Sequence, residues 1–201
     1  MVPPTLCSPR LRNAAATRQA MLAAARRHFA RESYENVGLR EIAAEAGVDP
    51  ALVSRYFGGK EQLFKEALRG DMPPFMEGIA REDLPAHLTS LLLDHEKSED
   101  EKSDKMDCLL MILRSSASTK ASEIVAAAIS EDMLGPMSRA LAGEFAGIRA
   151  GCAVAVLMGS GILRSAMGIQ PLPGPARAEL RERLTALFAL ALSERATTNP
   201  A

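Results

Sequence analysis

The sequence predicts an all-α chain of about nine helices, arranged as a small N-terminal bundle of three and a larger C-terminal bundle. Three observations carry this. Ala, Leu and Met are plentiful, with 10 Met, and these are strong helix formers. Aromatic residues make up only 4%, with no Trp, and the Val/Ile/aromatic runs of β-strands are missing. Apolar residues recur at three- and four-residue spacing along most of the chain. At 201 residues and 47% apolar content, the chain can bury a sizeable core in one or two domains.

The first dozen residues (1–12) hold three prolines and read as a mobile arm. From about Asn13, Met21, Ala25, His28 and Phe29 share one face of a helix running to about Glu32. Leu39, Ile42, Ala43 and Ala46 repeat that spacing over a shorter helix, which Gly47 ends. Asp49 offers an N-cap and Pro50 a first-turn residue for a third helix through Phe57. Gly58-Gly59 breaks it, and Lys60 opens a fourth helix to Gly70 with Phe64, Ala67 and Leu68 inward. A helix over 84–93 follows. The run DHEKSEDEKSDKMD, residues 94–107, has nothing to bury and reads as a helix end plus a solvated loop. Periodicity resumes over 108–113, 121–129 and 133–141. Two long segments, 145–167 and 175–194, flank the turn-rich GIQPLPGPA.

The net charge of −1 hides a split. Residues 1–70 carry 11 Lys/Arg against 7 Asp/Glu, a net of +4; the remainder carries 13 against 18, a net of −5. One end is suited to meet an anion and the other is not. Residues 39–57 have the layout of a helix-turn-helix: a short helix, a Gly-containing turn, and a second helix with Val53 and Phe57 inward. Pro50, Ala51, Ser54 and Arg55 then face outward near the N-terminus of the second helix, the end that reaches base edges in a major groove. The small Ala51 and Ser54 permit close approach, and Arg55 reaches a guanine or a phosphate. Lys60 is placed to meet a phosphate together with the free N–H groups of its helix.

The stretch TRQAMLAAARRHFARESYENV, followed by LREIAAEAGVDPALVSRYFGGKEQLF, resembles the DNA-binding domain of the tetracycline-repressor (TetR) family of bacterial transcription regulators. The resemblance implies a cytoplasmic homodimer that binds a near-palindromic operator and is released by a small apolar or amphipathic effector. It divides the chain into a DNA-binding domain (13–59), a connecting helix (60–70), a ligand-binding and dimerisation domain (71–196) and a tail (197–201). Carried over by position, the DNA contacts are Thr17, Arg40, Asp49, Pro50, Ala51, Ser54, Arg55, Tyr56 and Lys60. Two positions depart from the family habit. Gly38 stands where a Ser or Thr usually caps the second helix, and Ser54 where an aromatic often meets DNA. The segment from LGPMSRALAG to SAMGIQPL is similar, more weakly, to one C-terminal subtype of the family.

Gly147, Gly151, Ala155 and Gly159 recur every four residues and allow close approach of another helix, in the core or at a dimer seam. The last segment places Leu180, Leu184, Leu187, Phe188 and Ala191 on one face. By resemblance, the last two long helices of each subunit join in an intermolecular four-helix bundle, with recognition helices about 34 Å apart. Flexible apolar lining for a ligand is offered by Met72, Phe75, Met76, Met106, Leu109, Met111, Leu113, Met133, Met137, Leu157 and Met158, which are equally suited to ordinary core. Arg114 suits an anionic ligand group or a helix end.

No enzyme is indicated. His28, His87 and His95 are scattered, and neither H-E-x-x-H nor a nucleophile elbow appears. Cys7, Cys108 and Cys152 form no CxxC pair, so neither a disulfide framework nor a metal or cofactor site is expected; Cys108, beside the charged run, is a candidate redox sensor and Cys152 packing. The first residues lack an apolar signal core. The longest uncharged run, AGCAVAVLMGSGIL, is fourteen residues, too short to span a bilayer. The alternative to a regulator is a dimeric helical ligand-binding or structural protein whose helix-turn-helix is vestigial.

Overall fold

The structure, a computed structural model, describes residues 9–69, 78–94, 99–167 and 175–194. Its helices are α1 Pro9–Arg31, α2 Leu39–Glu45, α3 Pro50–Phe57, α4 Lys60–Arg69, α5 Leu84–Leu93, α6 Glu99–Ser115, α7 Thr119–Ile129, α8 Gly135–Leu141, α9 Ala146–Gly161 and α10 Pro175–Leu192. No strand occurs among the described residues. A π-helical turn, Ser130–Leu134, carries α7 into α8 without a break, and a second, Ile162–Ala166, extends α9. Helix α1 starts at Pro9, inside the expected arm, with proline at a first-turn position where its missing N–H costs nothing. The charged run is a larger departure: from Glu99 onward it is the first half of α6. Glu and Lys are good helix formers, and the apolar turns downstream supply the anchor that the run itself lacks.

The chain forms two compact units, residues 1–71 with 110–125, and residues 72–109 with 126–201. In the first, α1 packs on α2 and α4, and α3 on α2 and α4. Met21, Phe29, Ile42, Val53, Leu63 and Phe64 are buried there. The Phe29 ring meets Phe64 edge-on at 4.8 Å, and Tyr34 meets Phe64 in the same manner at 5.2 Å. Residues 110–125 belong to this unit and hold it through polar ties. Arg114 Nε donates to the Ala30 carbonyl at 2.7 Å, the Ser118 hydroxyl donates to the Glu35 carboxylate, and Lys120 pairs with Glu61 at 2.9 Å.

In the second unit, α10 packs on α5 and α9, and α9 on α8. Its core joins Leu84, Leu88, Leu92, Met137, Leu141, Ala150, Ala153, Val154, Leu157, Leu184, Phe188 and Leu192. Arginines fasten the helix ends. Arg164 donates to the Leu92 carbonyl, Arg177 to the Leu93 carbonyl at 2.6 Å, and Arg181 to the Asp94 carboxylate. All three gather at the C-terminal end of α5, where carbonyls lack helical partners and the helix dipole is negative. Arg149 likewise donates to the Leu192 carbonyl at 3.1 Å and to the Ala142 carbonyl. With its π extension, Ala146–Arg164 reaches 19 residues, long and apolar enough by length and composition to cross a membrane, in contrast to the fourteen-residue run read from the sequence. Here one side of that helix forms the core of the unit.

Candidate nucleic-acid interface

The α2–turn–α3 segment is built by its punctuation. The Gly38 N–H is accepted by the Glu41 carboxylate at 3.0 Å, one half of a capping box; glycine has no side chain to return the other half. Helix α2 closes on Ala46, and Gly47 takes φ +67°, the left-handed region that favours glycine. The Val48 N–H then donates back to the Ala43 carbonyl at 2.9 Å. Asp49 caps α3, its Oδ1 accepting the Ala51 N–H at 2.8 Å, and Pro50 supplies the first turn. Gly58, at φ +75°, ends α3 and donates its N–H to the Ser54 carbonyl at 2.7 Å.

Burial of Val53 and Phe57 fixes the rotation of α3 about its axis. Asp49, Pro50, Ala51, Ser54 and Arg55 are exposed, as is Arg40 on α2, while Tyr56 and Thr17 are half-buried. The structure therefore gathers the predicted outward set of α3 on one side, with Arg40 and Arg55 holding no ion-pair or hydrogen-bond partner among the described residues. The Asp49 carboxylate is engaged as a cap. Lys60 also has partners within the unit: its Nζ lies 3.2 Å from the Glu35 carbonyl and 4.7 Å from the Tyr34 ring centroid. Partial burial lowers its proton affinity, which Glu35 and Glu41 partly restore. The Glu35 carboxyl is held below its usual range, chiefly by the Ser118 hydroxyl. Elsewhere on the head, Arg27 donates to Glu45 at 2.5 Å and lowers that carboxyl in the same way.

The expected ligand and dimer residues are divided between the two units. Met72, Phe75 and Met76 lie outside the described residues. Leu113 and Arg114 belong to the first unit, where Arg114 is occupied by the end of α1. In the second unit Leu109, Met137 and Leu157 are buried, with Met133 and Met158 at the core's edge. One open groove there, of about 390 Å³, is lined by Arg81, Glu82, Pro85, Leu141, Ala189, Leu192 and Ser193. Of the seamed residues, Ala155, Gly159 and Leu187 are exposed and Gly151 and Leu180 half-buried. Leu184 and Phe188 do not face outward as a dimer seam requires, because they turn into the unit's own core against α5 and α9. Sequence reasoning missed the outward Ile148 and Leu190, 65% and 73% exposed, which a single face drawn through Leu184 and Phe188 conceals. It also missed Tyr34, Glu35 and Ser118, whose contacts are long-range and leave no local signal. The half capping box at Gly38, by contrast, was readable as a Gly with Glu three residues on. Cys152 is exposed and Cys108 partly so. Among the described residues no cluster of three His, Cys, Asp or Glu is placed to hold a metal.

Residues 21–67 match the family model described as bacterial regulatory proteins, tetR family, and residues 82–192 match the tetracyclin repressor-like C-terminal domain. A curated relative, the HTH-type transcriptional repressor AcnR of Corynebacterium efficiens, is 31% identical over 81 residues, 40% of this chain. The matched part spans 43% of that relative's length. Among solved structures, the secondary repressor of the MexAB-OprM multidrug efflux pump in Pseudomonas aeruginosa, NalD, superposes with TM-score 0.64 at 18% identity, covering 87% of this chain and 95% of that one. Salmonella enterica GusR gives TM-score 0.60 at 16% identity, covering 91% and 98%. At these identities the likeness speaks for the fold.

Proposed function

Since the chain belongs to the tetracycline-repressor family of bacterial regulatory proteins, we propose that it is a cytoplasmic, dimeric, sequence-specific DNA-binding repressor. The observation that carries this reading is the outward face of α3. Small Ala51 and Ser54 lie beside Arg55, which is exposed and has no partner among the described residues, on a helix locked in rotation by Val53 and Phe57. A helix of that kind enters a major groove, with Arg40 and Thr17 meeting the flanking backbone. The family is a regulatory one.

The second copy covers the exposed stripe of α9 and its π-helical extension, on which Ile148, Cys152, Ala155, Gly159 and Leu163 repeat at helical spacing. On α10 the residues that meet it are Leu187 and Leu190, which stand outward where Leu184 and Phe188 do not. Exposed apolar side chains in such number on two neighbouring helices mark an interface. An apolar or amphipathic effector enters the second unit beside Met133 and Met158, whose flexible side chains repack around varied shapes. It lowers operator affinity by preferring a conformer with α4 displaced; a coupling of about 1–3 kcal/mol corresponds to roughly 5–150-fold. By reciprocity, operator DNA weakens effector binding by the same factor.

Selection from random duplex DNA tests the reading. Enrichment of a near-palindromic site bound by two subunits is expected. Failure to enrich any sequence overturns it.

A further inference from the structure

The second unit holds a carboxylate between two arginines at the edge of an apolar groove. Glu194, just past the end of α10, places its Oε1 3.0 Å from Arg81 Nη2 and 3.7 Å from Arg149 Nη1. Gly143 makes the room, since a Cβ there would stand 2.7 Å from the same oxygen. Arg149 is buried; its two amino groups donate to the Leu192 and Ala142 carbonyls, and its Nε is buried without a partner. A guanidinium so withdrawn from water draws an anion toward it. Glu194 meets that need only loosely, being itself 56% exposed and beyond hydrogen-bond distance of Arg149.

We propose that this groove binds a monocarboxylate with an apolar tail, of the medium-chain fatty acid class, whose carboxylate takes the place of Glu194. The groove begins at Arg81 and Ser193, and its apolar walls are Pro85, Leu141, Ala189 and Leu192. Its volume of about 390 Å³ falls in the range of small-molecule sites, about 300–1,000 Å³. Glu82 lines it too. Once Glu194 turns out to solvent, Arg81 and Arg149 leave one positive charge in excess over Glu82, which selects an anion over a neutral or cationic ligand. The exchange replaces one carboxylate by another, so the arginines keep a partner. The gain comes from the tail, which covers the apolar walls and leaves water with them. The site is distinct from the one beside Met133 and Met158 and does not require that the chain bind DNA.

Isothermal titration of the full-length protein with decanoate, below its micelle concentration, tests this. One saturable site per subunit is expected, with decanol at least about tenfold weaker because it lacks the charge-assisted bonds. Two substitutions then move the affinity in opposite directions. Arg81→Gln weakens decanoate about fivefold, whereas Glu194→Ala, which frees the arginines, tightens it about threefold. Removing Glu194 tightens only a ligand that uses its place, so a merely structural ion pair does not produce that sign. Circular dichroism is expected to show native helical content in both variants; if Arg81→Gln loses it, Glu194→Ala decides alone. The proposal is overturned by the absence of saturable binding, by decanol binding as tightly as decanoate, or by an affinity that Glu194→Ala leaves unchanged or weakens.

Discussion

Arg40 and Arg55 of the first unit stand in solvent without partners among the described residues, whereas Arg149, Arg164, Arg177 and Arg181 of the second unit are bonded to helix ends. Both units are helical, and each buries phenylalanine, Phe29 and Phe64 in the first and Phe188 in the second. The first unit ties arginines down as well, Arg26 to the Ala67 carbonyl and Arg114 to the Ala30 carbonyl, but it keeps Arg40 and Arg55 outward on its helix-turn-helix. An arginine that donates to an orphan carbonyl is part of the scaffold, and one left in solvent is available to a ligand anion. Net charge by unit points to the first as the DNA-facing end, but the engagement of each guanidinium identifies the residues.

The comparison breaks most severely if either core is hollowed. Phe64→Ala in the first unit and Phe188→Ala in the second, both fully buried, are each expected to cost about 3–5 kcal/mol in urea unfolding. A loss below about 1 kcal/mol for Phe188 contradicts its placement in the core of its own subunit. Next comes Leu190→Asp, at a side chain 73% exposed in one chain. Sedimentation is expected to show dimer dissociation strengthened by at least about 30-fold, roughly 2 kcal/mol, with helical content intact. A dimer of wild-type strength would move the interface elsewhere.

Smaller effects sharpen the contrast. Arg40→Ala is expected to weaken operator and random duplex alike by roughly tenfold, about 1.4 kcal/mol, and to reduce the salt slope. A change confined to one base pair would make Arg40 a base reader. Removing the cap of α3 by Asp49→Ala is expected to cost about 1 kcal/mol, within about 0.5–2, in thermal unfolding. An unchanged melting temperature counts against the cap. Asp94→Asn, at a surface ion pair, is expected to cost at most about 1 kcal/mol. The hydrogen bond from Arg181 holds the Asp94 carboxyl below its usual 3.8. Its contribution is therefore present above that value and lost as pH falls through the lowered one. Asp94→Asn and wild type should converge in stability there, and a gap that persists in strong acid argues against the ion pair.

The parts legible in the sequence are those governed by neighbours along the chain. Gly47, Asp49, Pro50 and Gly58 dictate their own backbone, so the helix-turn-helix and its outward face follow from local chemistry. The rest depends on partners far along the chain. Periodicity finds an apolar stripe on α10 but not which part of it meets the core, so Leu184 and Phe188 were grouped with Leu187 as a seam. The charged start of α6 has no amphipathic signal of its own. The arginines at the end of α5 come from positions 72 to 87 residues away. The contacts of Lys60 with Tyr34 and Glu35 are likewise not legible from its position in the sequence.

The central claim, that the outward face of α3 reads DNA, is tested most directly by Arg55→Ala on the selected operator and its single-base variants. The account predicts a loss of about 1–3 kcal/mol on the operator, with discrimination relaxed at one position in each half-site and retained elsewhere. Binding and base preference equal to wild type at every position would contradict it.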